Sequence, residues 1–173
     1  MSVAVPEKHA SIDLADCPEC LMGNLNWLLT QAHYALASQL AAAFEPLGFT
    51  PRGHAVLAAA ASSAHTQKQL ADKVGLDKTT MVATIDELEA AGLARRVPSS
   101  TDRRAHVIEV TPEGRRKITA ANKIVKRVQD DVLASLQGDG DLLLDALQHL
   151  VRGRLAEPAA CAGIRRREPR GQA

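Results

Sequence analysis

Aromatic residues are scarce in this chain. Phe, Trp and Tyr make up only 2% of its 173 residues, although 46% of the residues are hydrophobic and Ala and Leu dominate among them. This composition fits closely packed helices better than a β-sandwich. The length suits one domain, or a small domain with an extension, and is sufficient to bury a core.

Cysteine and long hydrophobic runs are also in short supply. The three cysteines, an odd number, do not form the framework of a secreted disulfide-rich domain. No apolar run approaches the roughly 20 residues that a membrane helix needs, and the first residues lack the pattern of a signal peptide. We therefore expect a soluble, cytoplasmic protein that has no membrane partner.

The sequence signatures of catalysis are missing as well. The chain shows no Ser/His/Asp arrangement, no paired carboxylates and no phosphate-binding loop, so we expect neither an enzyme nor a cofactor or metal. The net charge of +1 does not by itself indicate a nucleic-acid partner. Residues 95–117, however, contain seven Lys or Arg against three acids, and this segment is locally basic.

Two short helices are predicted in the middle of the chain. Thr66 and Gln69 fit a capping box that opens the first, and Asp77 is a good N-cap for a second helix that ends before Gly92. The apolar residues of the second helix repeat at intervals of four and three, as Met81, Ile85 and Leu88. Because the turn between the two helices contains Gly, the spacing predicts a helix-turn-helix, whose second helix can enter a major groove.

A β-hairpin is predicted directly after these helices. Residues 93–97 and 106–110 are short β-rich runs on either side of a polar segment, so the whole pattern predicts a winged helix-turn-helix. Its motifs resemble those of the MarR (multiple-antibiotic-resistance regulator) family over roughly residues 20–152. The resemblance rests on residues 77–80 (DKTT), 86–89 (DELE), 92–93 (GL), 102–104 (DRR) and 110–114 (VTPEG).

Amphipathic helices are predicted on both sides of this unit. One continuous helix should start near Asp16 and reach Phe44, one should follow Thr111, and a final helix should span residues 142–155. The helix after Thr111 has an apolar seam of Ile118, Ala121, Val125, Val128 and Val132. These helices carry more apolar surface than the small central unit can cover. The resemblance implies that they interlock with a second copy of the chain.

The predicted fold is mainly α with a small β-hairpin wing, a winged helix-turn-helix with N- and C-terminal dimerisation helices. Residues 1–15 are expected to form a flexible arm, residues 16–48 and 111–155 the helical dimerisation region, and residues 50–110 the winged helix-turn-helix DNA-binding region. Residues 156–173 are expected to form a disordered basic tail.

The predicted DNA contacts are Thr66, Gln67, Lys78, Thr79, Thr80, Val82, Ala83, Arg103 and Arg104. Lys78 and Thr80, near a positive helix N-terminus, suit phosphate, and the outward face beside them would meet the bases. Val82 and Ala83 depart from the long polar or Arg side chain common in the family, so they favour A·T readout unless they only border the core. Arg103 resembles the family arginine that enters the minor groove.

Two interpretations remain open for four other arginines near the wing, which are Arg95, Arg96, Arg115 and Arg116. A solvated surface charge and a phosphate contact are equally compatible with their positions in the sequence.

Two further sets of residues are candidates for sensing. Trp27, His33 and Tyr34 offer the mixed aromatic and polar walls that suit a planar organic anion or phenol, although they could instead pack the dimer core. Cys17 and Cys20 have dithiol spacing near a helix N-terminus, where a thiolate is favoured, although they could instead be unreactive. One such pair supplies only two metal ligands, and the third cysteine, Cys161, lies in the predicted tail.

The resemblance implies a DNA-binding transcriptional regulator, and by family habit a repressor. It would bind a palindromic operator on double-stranded DNA as a homodimer and would be released by a small aromatic or phenolic effector. One alternative is a thiol-based redox or metal-responsive regulator that uses Cys17 and Cys20. The other is a winged-helix protein-interaction module that does not bind DNA.

Overall fold

The computed structural model describes residues 18–99 and 106–156. In these two ranges the chain forms α1 (Glu19–Met22), α2 (Leu25–Phe44), α3 (Pro51–Ser62), β1 (His65–Thr66), α4 (Gln67–Val74), α5 (Lys78–Ala90), β2 (Ala94–Pro98), β3 (His106–Val110), α6 (Pro112–Ala134) and α7 (Gly140–Arg152). A short 3-10 helix, Glu45–Leu47, follows α2. The predicted fold class, mainly helical with a small antiparallel sheet, is confirmed.

The chain divides into two compact units, Met1–Val128 and Gln129–Ala173, and the division falls within α6. In the second unit, Gly140 at the start of α7 is buried, with Leu133 as its nearest neighbour. Leu142 and Val151 of α7 are largely exposed. Within the two described ranges, no helix is both long and apolar enough to cross a membrane.

The prediction of one continuous first helix is wrong. The helix breaks at Gly23 and Asn24, and the Asn24 side chain accepts a hydrogen bond from the Trp27 amide at 3.0 Å. Gly stabilises a helix interior poorly and Asn is a strong N-cap, so this pair starts a new helix instead of continuing the first. The predicted end at Phe44 is confirmed.

The helix-turn-helix has the predicted caps. The hydroxyl oxygen of Thr66 accepts from the Gln69 amide, and the Gln69 side-chain oxygen accepts from the Thr66 amide at 2.8 Å. Asp77 caps α5 by accepting from the Thr80 amide at 3.0 Å. Gly92 follows α5 with a φ of 69°, a conformation that glycine adopts without strain.

The sheet has one strand more than the predicted hairpin. Its order is β1-β3-β2, and both pairings are antiparallel. Ile108 in the central strand lies opposite Arg96 on one side and His65 on the other. His65 pairs with β3 and attaches the start of α4 to the sheet.

The core lies where α3, α4 and α5 meet this sheet. Its largest members include Val56, Leu57, Leu70, Met81, Ile85, Leu88, Leu93, Ile108 and Val110, so the predicted apolar stripe of α5 is confirmed. Gly114 in the first turn of α6 is also buried. Its amide donates to the Thr111 hydroxyl oxygen at 3.0 Å, and that hydroxyl donates to the Gly92 carbonyl at 2.8 Å.

The apolar seam of α6 is partly covered within the chain itself. Ala121 is fully buried and Val128 is 8% exposed. Two polar contacts attach the same helix to preceding elements. Lys117 donates to the Leu47 carbonyl at 2.6 Å, and Asn122 forms a 2.8 Å hydrogen bond with His54 of α3. Two of the five seam residues, Ala121 and Val128, are therefore covered without a partner chain.

Candidate nucleic-acid interface

The N-terminus of α5 is organised by Asp77. One of its oxygens accepts from the Thr80 amide at 3.0 Å, and the other accepts from the Thr80 hydroxyl at 2.6 Å. These bonds, the one from the hydroxyl foremost, lower the pKa of Asp77 below its ordinary value of 3.8. The hydroxyl proton of Thr80 is thus engaged by the cap, and Thr80 could donate to a phosphate only after leaving Asp77.

The predicted DNA-facing residues of α5 differ in exposure. Lys78 and Thr79 are exposed, whereas Val82 and Ala83 are half-buried and lie between the outer face and the core. Thr84, behind them, is fully buried and donates its hydroxyl to the Thr80 carbonyl at 2.7 Å. The exposed end of α5 therefore presents the cation of Lys78 and the hydroxyl of Thr79 beside the Asp77 carboxylate that caps the helix.

Thr66 and Gln67 lie at the start of α4 and are both half-buried. Thr66 belongs to β1 and caps α4, so its backbone is held by the sheet and by the helix at once. Arg103 and Arg104, the predicted wing contacts, lie outside the described residues.

The arginines around the wing strands are mostly engaged by carboxylates. Arg95 donates twice to Glu109, its partner in the strand register, at 3.0 and 3.2 Å. This hydrogen bonding, followed by the charge attraction, raises the pKa of Arg95. Three further ion pairs are present: one joins Arg116 to Glu113, and two join Arg96 to carboxylates of α5. Arg115 is exposed, and its side chain forms no hydrogen bond or ion pair within the described part of the chain.

The three effector candidates lie on α2. The rings of His33 and Tyr34 are both exposed, with centroids 5.8 Å apart, and Trp27 is half-buried. A pocket of about 250 Å³ lies elsewhere, between the start of α3 and the end of α5. It is lined by Gly48, Phe49, Thr50, Gly53, Glu87, Leu88 and Ala91, so the structure does not bring the effector candidates into it.

Of the three cysteines, only Cys20 lies within the described residues. It is a free, exposed thiol in α1. Cys17 and Cys161 lie outside the described residues. Residues 18–99 and 106–156 contain no group of three or more His, Cys, Asp or Glu side chains placed to hold a metal ion.

Comparisons with known proteins agree with this architecture. The model of the MarR family matches residues 47–105. A protein of Thauera aromatica, named as a transcriptional regulatory protein for the hcr operon, is 30% identical over 156 residues, which cover 88% of this chain and 94% of that protein. The chain belongs to the MarR family. The family predicted from the motifs of the second helix and the wing is thereby confirmed.

Solved structures extend the likeness of this MarR-family chain. The repressor CouR bound to a 23-mer DNA duplex is 28% identical with a TM-score of 0.69, over 79% of this chain and 95% of that one. CouR from Rhodococcus jostii RHA1 bound to p-coumaroyl-CoA is 27% identical with a TM-score of 0.71, over 82% of this chain and 98% of that one. The family and these relatives are transcriptional regulators, not enzymes.

Proposed function

We propose that this MarR-family regulator is a repressor that binds a palindromic operator as a homodimer and is released by a small aromatic or phenolic effector. The observation that carries the proposal is the exposed N-terminus of α5, the second helix of the helix-turn-helix, where Lys78 and Thr79 are both exposed. A helix N-terminus with a cation suits phosphate, and the following turn can reach base edges. The likeness to DNA-bound CouR supports this arrangement.

The proposed DNA contacts are Thr66, Gln67, Lys78, Thr79, Thr80, Val82, Ala83, Arg103 and Arg104. Lys78 would hold a phosphate, and Thr79 would be the most accessible residue for base contacts on α5. Val82 and Ala83, half-buried as they are, can offer only small apolar groups, which suit the methyl group of thymine. A readout that favours A·T pairs follows from this face.

The homodimer is supported by apolar side chains that the chain leaves uncovered. On α2 the exposed large apolar residues are Leu25, Leu28, Leu29, Tyr34 and Leu36, and on α7 they include Leu142, Leu143 and Val151. Burial of such surface is worth about 25 cal/mol per Å². A two-fold dimer carries two equivalent copies of α5, which is why a palindromic site is expected.

The phenolic effector is supported by the likeness to CouR bound to p-coumaroyl-CoA. Trp27, His33 and Tyr34 remain the proposed contacts, because a phenol ring suits aromatic walls and its hydroxyl needs a polar partner. The pocket near Phe49 is a second place at which a small aromatic ring would fit, since Phe49 and Leu88 supply apolar walls.

The test begins with selection of a duplex from a randomised pool by the full chain. Lys78→Ala should then weaken binding to the selected duplex and flatten the slope of log K against log salt by about 0.9 per protomer. Lys123→Ala removes another exposed lysine, from α6, and is the matched control, with a slope expected near that of the wild type. Failure of the wild type to enrich any duplex would instead favour the protein-interaction module.

A further inference from the structure

One arginine of the wing connects it to the second helix of the helix-turn-helix. Arg96 lies on β2, and its guanidinium donates to Asp86 Oδ1 at 2.6 Å and to Glu89 Oε2, both on α5. The backbone amide of Arg96 also donates to Glu89 Oε1, at 2.6 Å. We call these three side chains the Arg96 cluster. The cluster joins the strand that enters the wing to the helix proposed to read the bases.

The geometry of the cluster requires a guanidinium. Asp86 and Glu89 are three residues apart, so they lie on the same face of α5. A planar fork of donors can serve both carboxylates at once, whereas the compact ammonium of Lys holds them less rigidly. The Arg96 side chain is 29% exposed, compared with 63% for Arg95 on the same strand. The Arg96 side chain is thus more buried than that of its neighbour Arg95.

The charges of the cluster argue against a phosphate contact at Arg96. Two carboxylates and one guanidinium leave a net charge of −1, which repels a phosphate. Arg96 would also have to abandon two charge-assisted hydrogen bonds, which are stronger than neutral ones, before it could reach DNA. A role within the protein fits these contacts better than either a phosphate contact or a solvated charge.

We propose that Arg96 is a positioning residue that fixes the wing relative to α5, so that both engage one DNA duplex in register. This inference rests on the proposed DNA-binding function. Glu89 holds the backbone and the side chain of Arg96 together, and Asp86 fixes the other side of the fork. The separation of the wing from α5 is thereby set by side chains that do not themselves touch DNA.

The experiment uses a charge-conserving pair of substitutions. Asp86→Asn with Arg96→Met leaves the cluster at −1, because one negative and one positive charge are removed together. Arg95→Met with Glu109→Gln is the matched control, since it removes an ion pair from the same strand but one contained within the sheet. Both full-length variants are compared with the wild type on the duplex that the wild type selects from a randomised pool, after circular dichroism shows that they are folded.

The variant with Asp86→Asn and Arg96→Met, here called the Arg96 double variant, should bind this duplex on the order of tenfold more weakly. This is roughly the effect of losing one base or groove contact. Its salt slope should stay near that of the wild type. Its preference for A·T-rich over G·C-rich flanks should shrink, because a displaced wing no longer senses groove width, while the preferred central bases persist. The Arg95 control should keep the affinity and the flank preference of the wild type.

Three results would overturn the inference. If a folded Arg96 double variant kept the affinity and the flank preference of the wild type, the cluster would contribute only to local stability. A slope flattened by about 0.9 per protomer would make Arg96 a phosphate contact. A wild type that selects no duplex would remove the proposed function as well. If the double variant does not fold, Arg96→Lys is measured instead, and the same loss of flank preference at constant charge is expected.

Discussion

Gly114 allows a sharp test of how α6 joins the wing. A β-carbon placed on this residue would lie 2.1 Å from the Leu93 carbonyl oxygen and 2.8 Å from Val110 Cγ1. The oxygen belongs to the backbone that enters β2, so it cannot rotate away as the end of a side chain would. A gap of about 0.9 Å must open before the shorter contact reaches even 3.0 Å. Gly114→Ala therefore forces the first turn of α6 away from the sheet.

Overpacking of this kind costs about 1–3 kcal/mol. For a chain of this size each kcal/mol lowers the midpoint of thermal unfolding by roughly 2–4 °C, so a decrease of about 2–12 °C is expected. Calorimetry at matched protein concentrations measures it. Gly23→Ala is the control, since its β-carbon would meet nothing closer than the Glu19 carbonyl oxygen at 4.0 Å. If Gly114→Ala unfolded at the wild-type midpoint, the close approach of α6 to Leu93 would be refuted.

Three further predictions concern the cap, the base readout and the thiols. Because the pKa of Asp77 is lowered in the folded chain, its cap contributes stability that is present above pH 3.8 and is lost as the pH falls through the lower folded value. The stability advantage of the wild type over Asp77→Asn should therefore shrink in acid, and denaturation from pH 6 to below pH 3.8 checks this; a constant difference would contradict it. Ala83→Arg should introduce a preference for guanine in the selected duplexes, worth about 1–3 kcal/mol of discrimination, because a guanidinium can pair with guanine. An unchanged selected motif would place this face outside the groove. Cys17→Ser with Cys20→Ser should leave DNA affinity unaltered in reducing buffer, whereas loss of a peroxide-triggered release present in the wild type would support the redox alternative.

Features governed by local chemistry could be predicted from the sequence. The capping residues Thr66 and Asp77 each accept from an amide three positions away, and the positive φ after α5 favours a glycine at position 92. The stripe of α5 follows from helix periodicity. The break at Gly23 and Asn24 was missed because the apolar spacing continues across it. Gly is a signal for the end of a helix and Asn for the start of the next, and together they could have revealed the break.

Features that depend on distant residues could not be predicted in the same way. The strand β1 is only two residues long, and it is a strand because His65 and Thr66 pair with β3. Nothing in the sequence indicates that the three charged residues of the Arg96 cluster are partners, because only the packing of β2 against α5 brings them together. The absence of Trp27, His33 and Tyr34 from the lining of the α3–α5 pocket likewise depends on tertiary packing.

The pairing of β1 with β3 has a consequence for how the molecule opens. These strands close a loop of chain that contains all of α4, α5 and β2, and Thr66 is part of the pairing and of the α4 cap. Separation of β1 from β3 thus exposes Ile108 and removes support from the start of α4 in a single event. We expect the amide hydrogens of α4, the middle of α5 and β3 to show one common free energy of opening in hydrogen exchange, as a single cooperative unit.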